Sequence, residues 1–187
     1  MNKKVTVGLY LFFFIFIIPT LFYVINTSSS IPLYSQTVSF SGGKVIYDLP
    51  YPGILPDNPL YIVKMIRDRL LDWATRDNLK KAQLYLLYSD KRAASAILLS
   101  EKGKNSLAIS TLTKAEKYFL KIPDLIVQAK KQGVTIPESL LHRIKLSNDK
   151  HKEIIGDIAK QSPQGEEKQF ESLLQFNQKI KEALRKI

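Results

Sequence analysis

The chain has 187 residues, with 28 Lys and Arg against 17 Asp and Glu and a formal net charge of +11. It contains no cysteine, which excludes disulfides, thiolate nucleophiles and Cys-ligated metal sites together. The length suffices for one domain with an ordinary hydrophobic core, and the basic balance speaks of anionic surroundings without naming a ligand.

Residues 5–25, opening on Val5 and closing on Ile25, read VTVGLYLFFFIFIIPTLFYVI and carry no charge. At about 1.5 Å per residue a helix of this length reaches the roughly 30 Å of a bilayer's hydrocarbon core, so a membrane-spanning anchor is expected. A cleaved secretory signal is the competing reading. Its apolar core would be about 7 to 15 residues and would end in small residues, whereas this run is longer and leads into Asn26-Thr27-Ser28. Lys3 and Lys4 precede the run, and the next basic residue is Lys44, which places the N-terminus in the cytoplasm and the remainder outside. The 28 basic residues less these two, against 17 acidic, leave that remainder at +9. A long domain crosses largely regardless of its charge, so the flanks decide.

Residues 26–36 form a small, polar stalk. Residues 37–48, TVSFSGGKVIYD, alternate on either side of Gly42-Gly43 and predict a hairpin with Phe40 facing Val45 and Val38 facing Tyr47. Four prolines follow within ten residues, and the segment ends in a helix start, with Asn58 as N-cap and Pro59 at the first helical position. That helix is expected to run to about Trp73 and to turn Tyr61, Ile62, Met65, Ile66, Leu70 and Trp73 toward the core. Asp77 caps a longer helix stopped by Gly103, apolar over so wide an arc that it should be the central element. A third helix from about Asn105 pairs with it as an antiparallel hairpin. Pro123-Asp124 interrupts or restarts that helix. Pro137 opens another, running to about Gln161, and a last one begins near Glu166, with Phe170, Leu173, Leu174, Ile180 and Leu184 on one face. The fold class is therefore all-α: an N-terminal transmembrane helix, a short β-hairpin, then an antiparallel helical bundle of about five helices. The divisions are 1–25 anchor, 26–48 stalk and hairpin, 49–161 helical domain, and 162–187 C-terminal amphipathic helix.

The stretch YPGILPDNPLY, followed by KMIRDRL, RDNLKKAQLYLLYSDKRAA, EKGK and LTKAEKYF, resembles an uncharacterised bacterial domain family whose members read PGILPDSPLY or PGILPDHPLY here. The resemblance covers roughly residues 49–119, with Pro52, Gly53, Pro56, Asn58 and Pro59 as its structural motif. It implies a helical domain of unknown function, behind a signal or membrane segment, in exported proteins. It supplies no catalytic residues.

No motif with a mechanism is present. His142 and His151 lie nine residues apart, on opposite faces of one predicted helix, and read as surface or boundary residues. Asp68 and Asp72 sit among arginines as helix-surface pairs. Catalytic residues, cofactor and metal are accordingly expected to be none, and no small-molecule substrate is indicated. Lys80, Lys91 and Lys102 recur every eleven residues and line up as a stripe, which Arg92 and Lys104 extend, while Asp90 and Glu101 dilute its charge. The expected function is a membrane-anchored, extracytoplasmic helical module with an interaction or scaffolding role in the bacterial envelope, without catalysis. Its contacts would lie on apolar surface residues, those of the last helix among them. The alternative is a binder of an anionic polymer (wall polymer, lipid headgroups or nucleic acid) through the lysine stripe.

Overall fold

The computed structural model describes residues 37–38, 45–163 and 165–187. The run 5–25, and Phe40, Gly42 and Gly43 of the expected hairpin loop, lie outside them. Among the described residues no helix is long and apolar enough to cross a membrane. The elements are β1 (Thr37–Val38), β2 (Leu49–Pro50), α1 (Tyr61–Ala74), α2 (Asn78–Glu101), α3 (Asn105–Phe119), α4 (Ile122–Lys131), α5 (Glu138–Gln161) and α6 (Glu167–Arg185). The domain is mostly helical, as the periodicity predicts.

The strand pairing differs from the expectation. β1 and β2 run antiparallel with Thr37 opposite Pro50 and Val38 opposite Leu49, a register two residues removed from the predicted Val38–Tyr47 pair. The reason is Tyr47. Its hydroxyl donates to Asp90 Oδ2 at 2.6 Å, which draws Tyr47 toward the helices and leaves Leu49, fully buried, to take the ladder position.

Local signals set the helix ends. Asp77 caps α2 by accepting the Lys80 amide at 2.8 Å. Gly103 stops it at φ +71°, with the Gly103 and Lys104 amides returning to the Ser100 and Leu99 carbonyls. Asn58 Oδ1 accepts the Leu60 amide, but the residues after it form a tight i→i+3 turn, so the α-helical part of α1 starts two residues later than expected.

The bundle has two apolar clusters stacked along its length. One gathers Ala93, Ala96 and Leu99 of α2, Ala108 and Leu112 of α3, Ile154, Ile155 and Ile158 of α5, and Phe170 and Leu173 of α6. The other gathers Ala82 and Leu86 of α2, Phe119 at the end of α3, Ile122 and Ile126 of α4, Leu140 and Ile144 of α5, and Ile180 and Leu184 of α6. Along the chain, α2 and α5 cross from the second cluster to the first, whereas α3 and α6 cross from the first to the second. The four long helices therefore alternate in direction. The last helix docks on the bundle through Phe170, Leu173, Ile180 and Leu184.

α1 overturns the expectation for its apolar positions. Only Tyr61 and Asp68 of this helix are buried. Ile62, Val63, Met65, Ile66, Leu70 and Trp73 are exposed, Trp73 at 80 %. Tyr61 is buried as expected, but the other five expected core positions are exposed, so the apolar side of this helix points mostly away from the bundle.

Candidate functional site

At about 100° per residue, Leu71, Lys64, Asp68, Tyr61 and Asp72 share the side of α1 that meets the bundle. The contacts there are polar. Asp68, 4 % exposed, lies 2.7 Å from Arg67 and 3.9 Å from Arg92, and its carbonyl accepts the Tyr88 hydroxyl at 3.0 Å. Asp72 accepts the Tyr85 hydroxyl at 2.7 Å and lies 3.3 Å from the Lys81 ammonium. Burial, with the bond to Asp72, pushes the Tyr85 hydroxyl well above the ordinary tyrosine value. Behind them the Arg92 guanidinium lies 4.5 Å from the Tyr118 ring and 5.5 Å from the Tyr88 ring, while Lys121 sits over Tyr85 and Tyr118. α1 is thus an amphipathic helix mounted by its charged side.

The proline-rich motif is the strap that holds this mounting. The Lys64 ammonium donates to the carbonyls of Pro52 at 2.7 Å and Ile54 at 3.2 Å, and burial pulls its pKa down to about 8. Gly53, between these two carbonyls, has φ +70°, a conformation that L side chains rarely adopt. Pro56 and Pro59 bracket Asp57 and Asn58. Asp57 then takes both Lys104 at 2.9 Å and Lys102 at 3.2 Å, and their ammonium groups hold its carboxyl below the usual range. One ten-residue segment therefore ties α1 to the corner between α2 and α3.

The predicted lysine stripe is divided by these commitments. Lys80 is exposed. Lys91 is half-buried, and burial lowers its pKa. Arg92 is buried among the tyrosines, and Lys102 and Lys104 share Asp57. The five cations do not form one continuous exposed face.

Between the two apolar clusters lies a polar layer that the sequence reading missed. His151 is fully buried, where a boundary position was expected, and so is Asp90, which had been assigned to the diluted surface stripe. His151 Nδ1 lies 2.7 Å from Glu116 Oε1 and Nε2 lies 3.2 Å from Asp90 Oδ1. Ser147 donates to Asp90 Oδ1 at 2.5 Å, and Tyr47 to Oδ2. Burial alone would lower the His151 pKa. The bonds to Asp90 and Glu116, with their charges, outweigh it and push the pKa up to about 9, so the ring is an imidazolium at neutral pH. Phe119 packs against its edge at 5.2 Å. In the same layer Asn177 of α6 donates to the Asn148 carbonyl at 2.8 Å and to Asn148 Oδ1 at 3.1 Å. His142, by contrast, is exposed. A periodic signal was available: Ser147, Asn148 and His151 continue the three-and-four spacing across the gap between Ile144 and Ile154.

The layer is enclosed, with His151, Glu116 and Asp90 each at 0 % exposure. The open depression lined by Lys104, Ser106, Ser110, Pro163 and Glu166 lies at the far ends of α2 and α5 and shares none of them. What these features define is an all-α bundle closed around a structural polar layer, carrying one strapped helix with its apolar side outward. The family model described as "Domain of unknown function (DUF5667)" matches residues 53–187, and the chain belongs to that family. The match runs through α6, well past the 49–119 over which the resemblance is legible by eye. No curated protein and no solved structure matches the chain.

Proposed function

We propose that the chain is a non-catalytic, membrane-anchored module of the bacterial envelope, with residues 5–25 spanning the membrane, the N-terminus cytoplasmic and the helical domain outside, serving an interaction or scaffolding role. The observation that carries the interaction role is the outward side of α1, where Ile62, Val63, Ile66, Leu70 and Trp73 form an exposed stripe on a helix whose Asp68, Asp72 and Lys64 are bonded to the rest of the domain. A stripe of this kind marks a contact surface more readily than scattered apolar residues do. The last helix, whose apolar side is turned inward, is not the contact element in this reading. The anchor is supported by the uncharged 5–25 run and its lysine flank. The commitment of Arg92, Lys102 and Lys104 to partners within the domain weighs against the anionic-polymer reading.

Two measurements test the proposal. Alkaline extraction of cell membranes should leave the chain in the pellet, and release into the supernatant would remove the anchor. A protease added to intact cells should digest an epitope placed after Ile187, and protection until lysis would reverse the orientation.

A further inference from the structure

We propose that the outward side of α1 lies on an anionic phospholipid surface, its apolar stripe at the boundary of headgroups and acyl chains. The inference deepens the interaction role above and rests on the anchor only for what holds the domain near a bilayer.

The first argument is the distribution of residues around the helix. Taken at about 100° per residue, Ile62, Trp73, Ile66, Leu70 and Val63 occupy an arc of about 100°. Arg69 borders it on one side and, beyond Ala74, Arg67 on the other. No acidic residue falls within this arc or on its borders, since Asp68 and Asp72 face the bundle. An apolar stripe with basic margins is the pattern of a helix lying in a membrane interface, where the stripe enters the acyl boundary and the guanidinium groups meet phosphates. Arg67 gives its guanidinium to Asp68, so Arg69 is the cation that this margin offers to phosphate. Trp73, at the end of the stripe, has the amphipathic ring that settles at headgroup level.

The second argument is against the nearest competitor, a second copy of the chain. Two α1 stripes laid face to face would bring the Arg69 margin of one close to that of the other, with no carboxylate within the arc to relieve them. Like charges set along an interface oppose it. A third argument is distance along the chain. Only residues 26–59 separate the expected span from α1, which is the first helix among the described residues.

The chain supplies its own probe, because Trp73 is its single tryptophan. The full chain is carried from detergent into vesicles of phosphatidylcholine with phosphatidylglycerol, in which a fraction of the lipid is brominated high on the acyl chain. The expected result is a shift of Trp73 emission to shorter wavelength and a loss of intensity to the bromolipid. Ile66→Glu with Leu70→Glu should reverse both changes. Arg69→Gln should weaken the quenching in phosphatidylglycerol vesicles more than in phosphatidylcholine alone. Emission that stays long-wavelength and unquenched in vesicle-bound chain would overturn the inference. A blue-shifted but unquenched Trp73 would also overturn it and would point to a second copy or another protein. A chain that fails to enter the vesicle fraction would overturn both this inference and the anchor. Failure of the anchor alone reads differently: the chain is released by alkaline extraction while Trp73 is still quenched before that step.

Discussion

His151 shows what one residue in the middle of a bundle demands. An imidazolium between Asp90 and Glu116 is stable there because both carboxylates bond it, Asp90 being held in turn by Ser147 and Tyr47, and removing the ring would leave two buried acids without their cation. His151→Gln should therefore cost about 3 to 5 kcal/mol, as breaking a buried ionic set usually does, and urea denaturation at neutral pH would measure it. The pH dependence has a definite sign. The folded pKa of about 9 lies above the ordinary 6.5, so the stabilisation is complete below about 6.5 and is lost as pH climbs through about 9. The difference in unfolding free energy between wild type and His151→Gln should shrink over that interval, by an amount on the order of 3 kcal/mol. A constant difference would mean that His151 is neutral in the fold. Reading this residue from sequence failed for a physical reason: the 3.6-residue period marks which positions face inward, but a search confined to apolar residues discards the inward positions that are polar.

The strap and α1 teach the complementary lesson about elements. The helix, its start near Asn58 and its coherent apolar face were legible, because they depend on local chemistry and spacing. The direction of that face was not, because an amphipathic pattern states that two sides differ and leaves open which of them meets the protein. The polar side of α1 finds a set of partners, Arg92, Tyr85, Tyr88 and the Pro52 and Ile54 carbonyls, that come from elsewhere in the chain. Stability measurements should separate the two sides. Ile66→Ser or Leu70→Ser should change the unfolding free energy by no more than about 0.5 kcal/mol, whereas Leu86→Ala, which opens a space beneath Phe119 and Ile122, should cost about 2 to 5 kcal/mol. Asp57→Ala removes the shared carboxylate of two exposed lysines and should lower the melting temperature far less than Leu86→Ala does, which a thermal melt would check. A loss as large as that of Leu86→Ala would show that the strap holds up the core as well as α1.

For the whole molecule, α6 is not an appendage. Phe170 and Leu173 complete the first apolar cluster and Ile180 and Leu184 the second, while Asn177 closes the polar layer. A chain truncated after Gln161 should lose cooperative unfolding and become sensitive to limited proteolysis within α5; a truncated chain with an unchanged melt would contradict this packing. Helix order and the antiparallel arrangement were recoverable from spacing and from the Gly103 and Pro137 boundaries, whereas Pro123-Asp124 does not by itself tell an interruption of α3 from the separate helix α4. The division of the interior into two apolar halves was not, since it becomes visible only when Asp90, Glu116, His151 and Asn177, spread over four helices, are brought to one height.

That common height works like the teeth of a key. An apolar bundle tolerates one helix sliding past another by a turn, because greasy side chains exchange partners at little cost. Here a slide of α5 by one turn would carry the imidazolium out of reach of both acids and into contact with isoleucines, so each helix is held at a single longitudinal setting. The Ala, Leu and Ile of either half are then left to fill volume, and volume-conserving exchanges among them should change melting temperature while leaving alignment untouched. Moving the charged tooth should do the reverse.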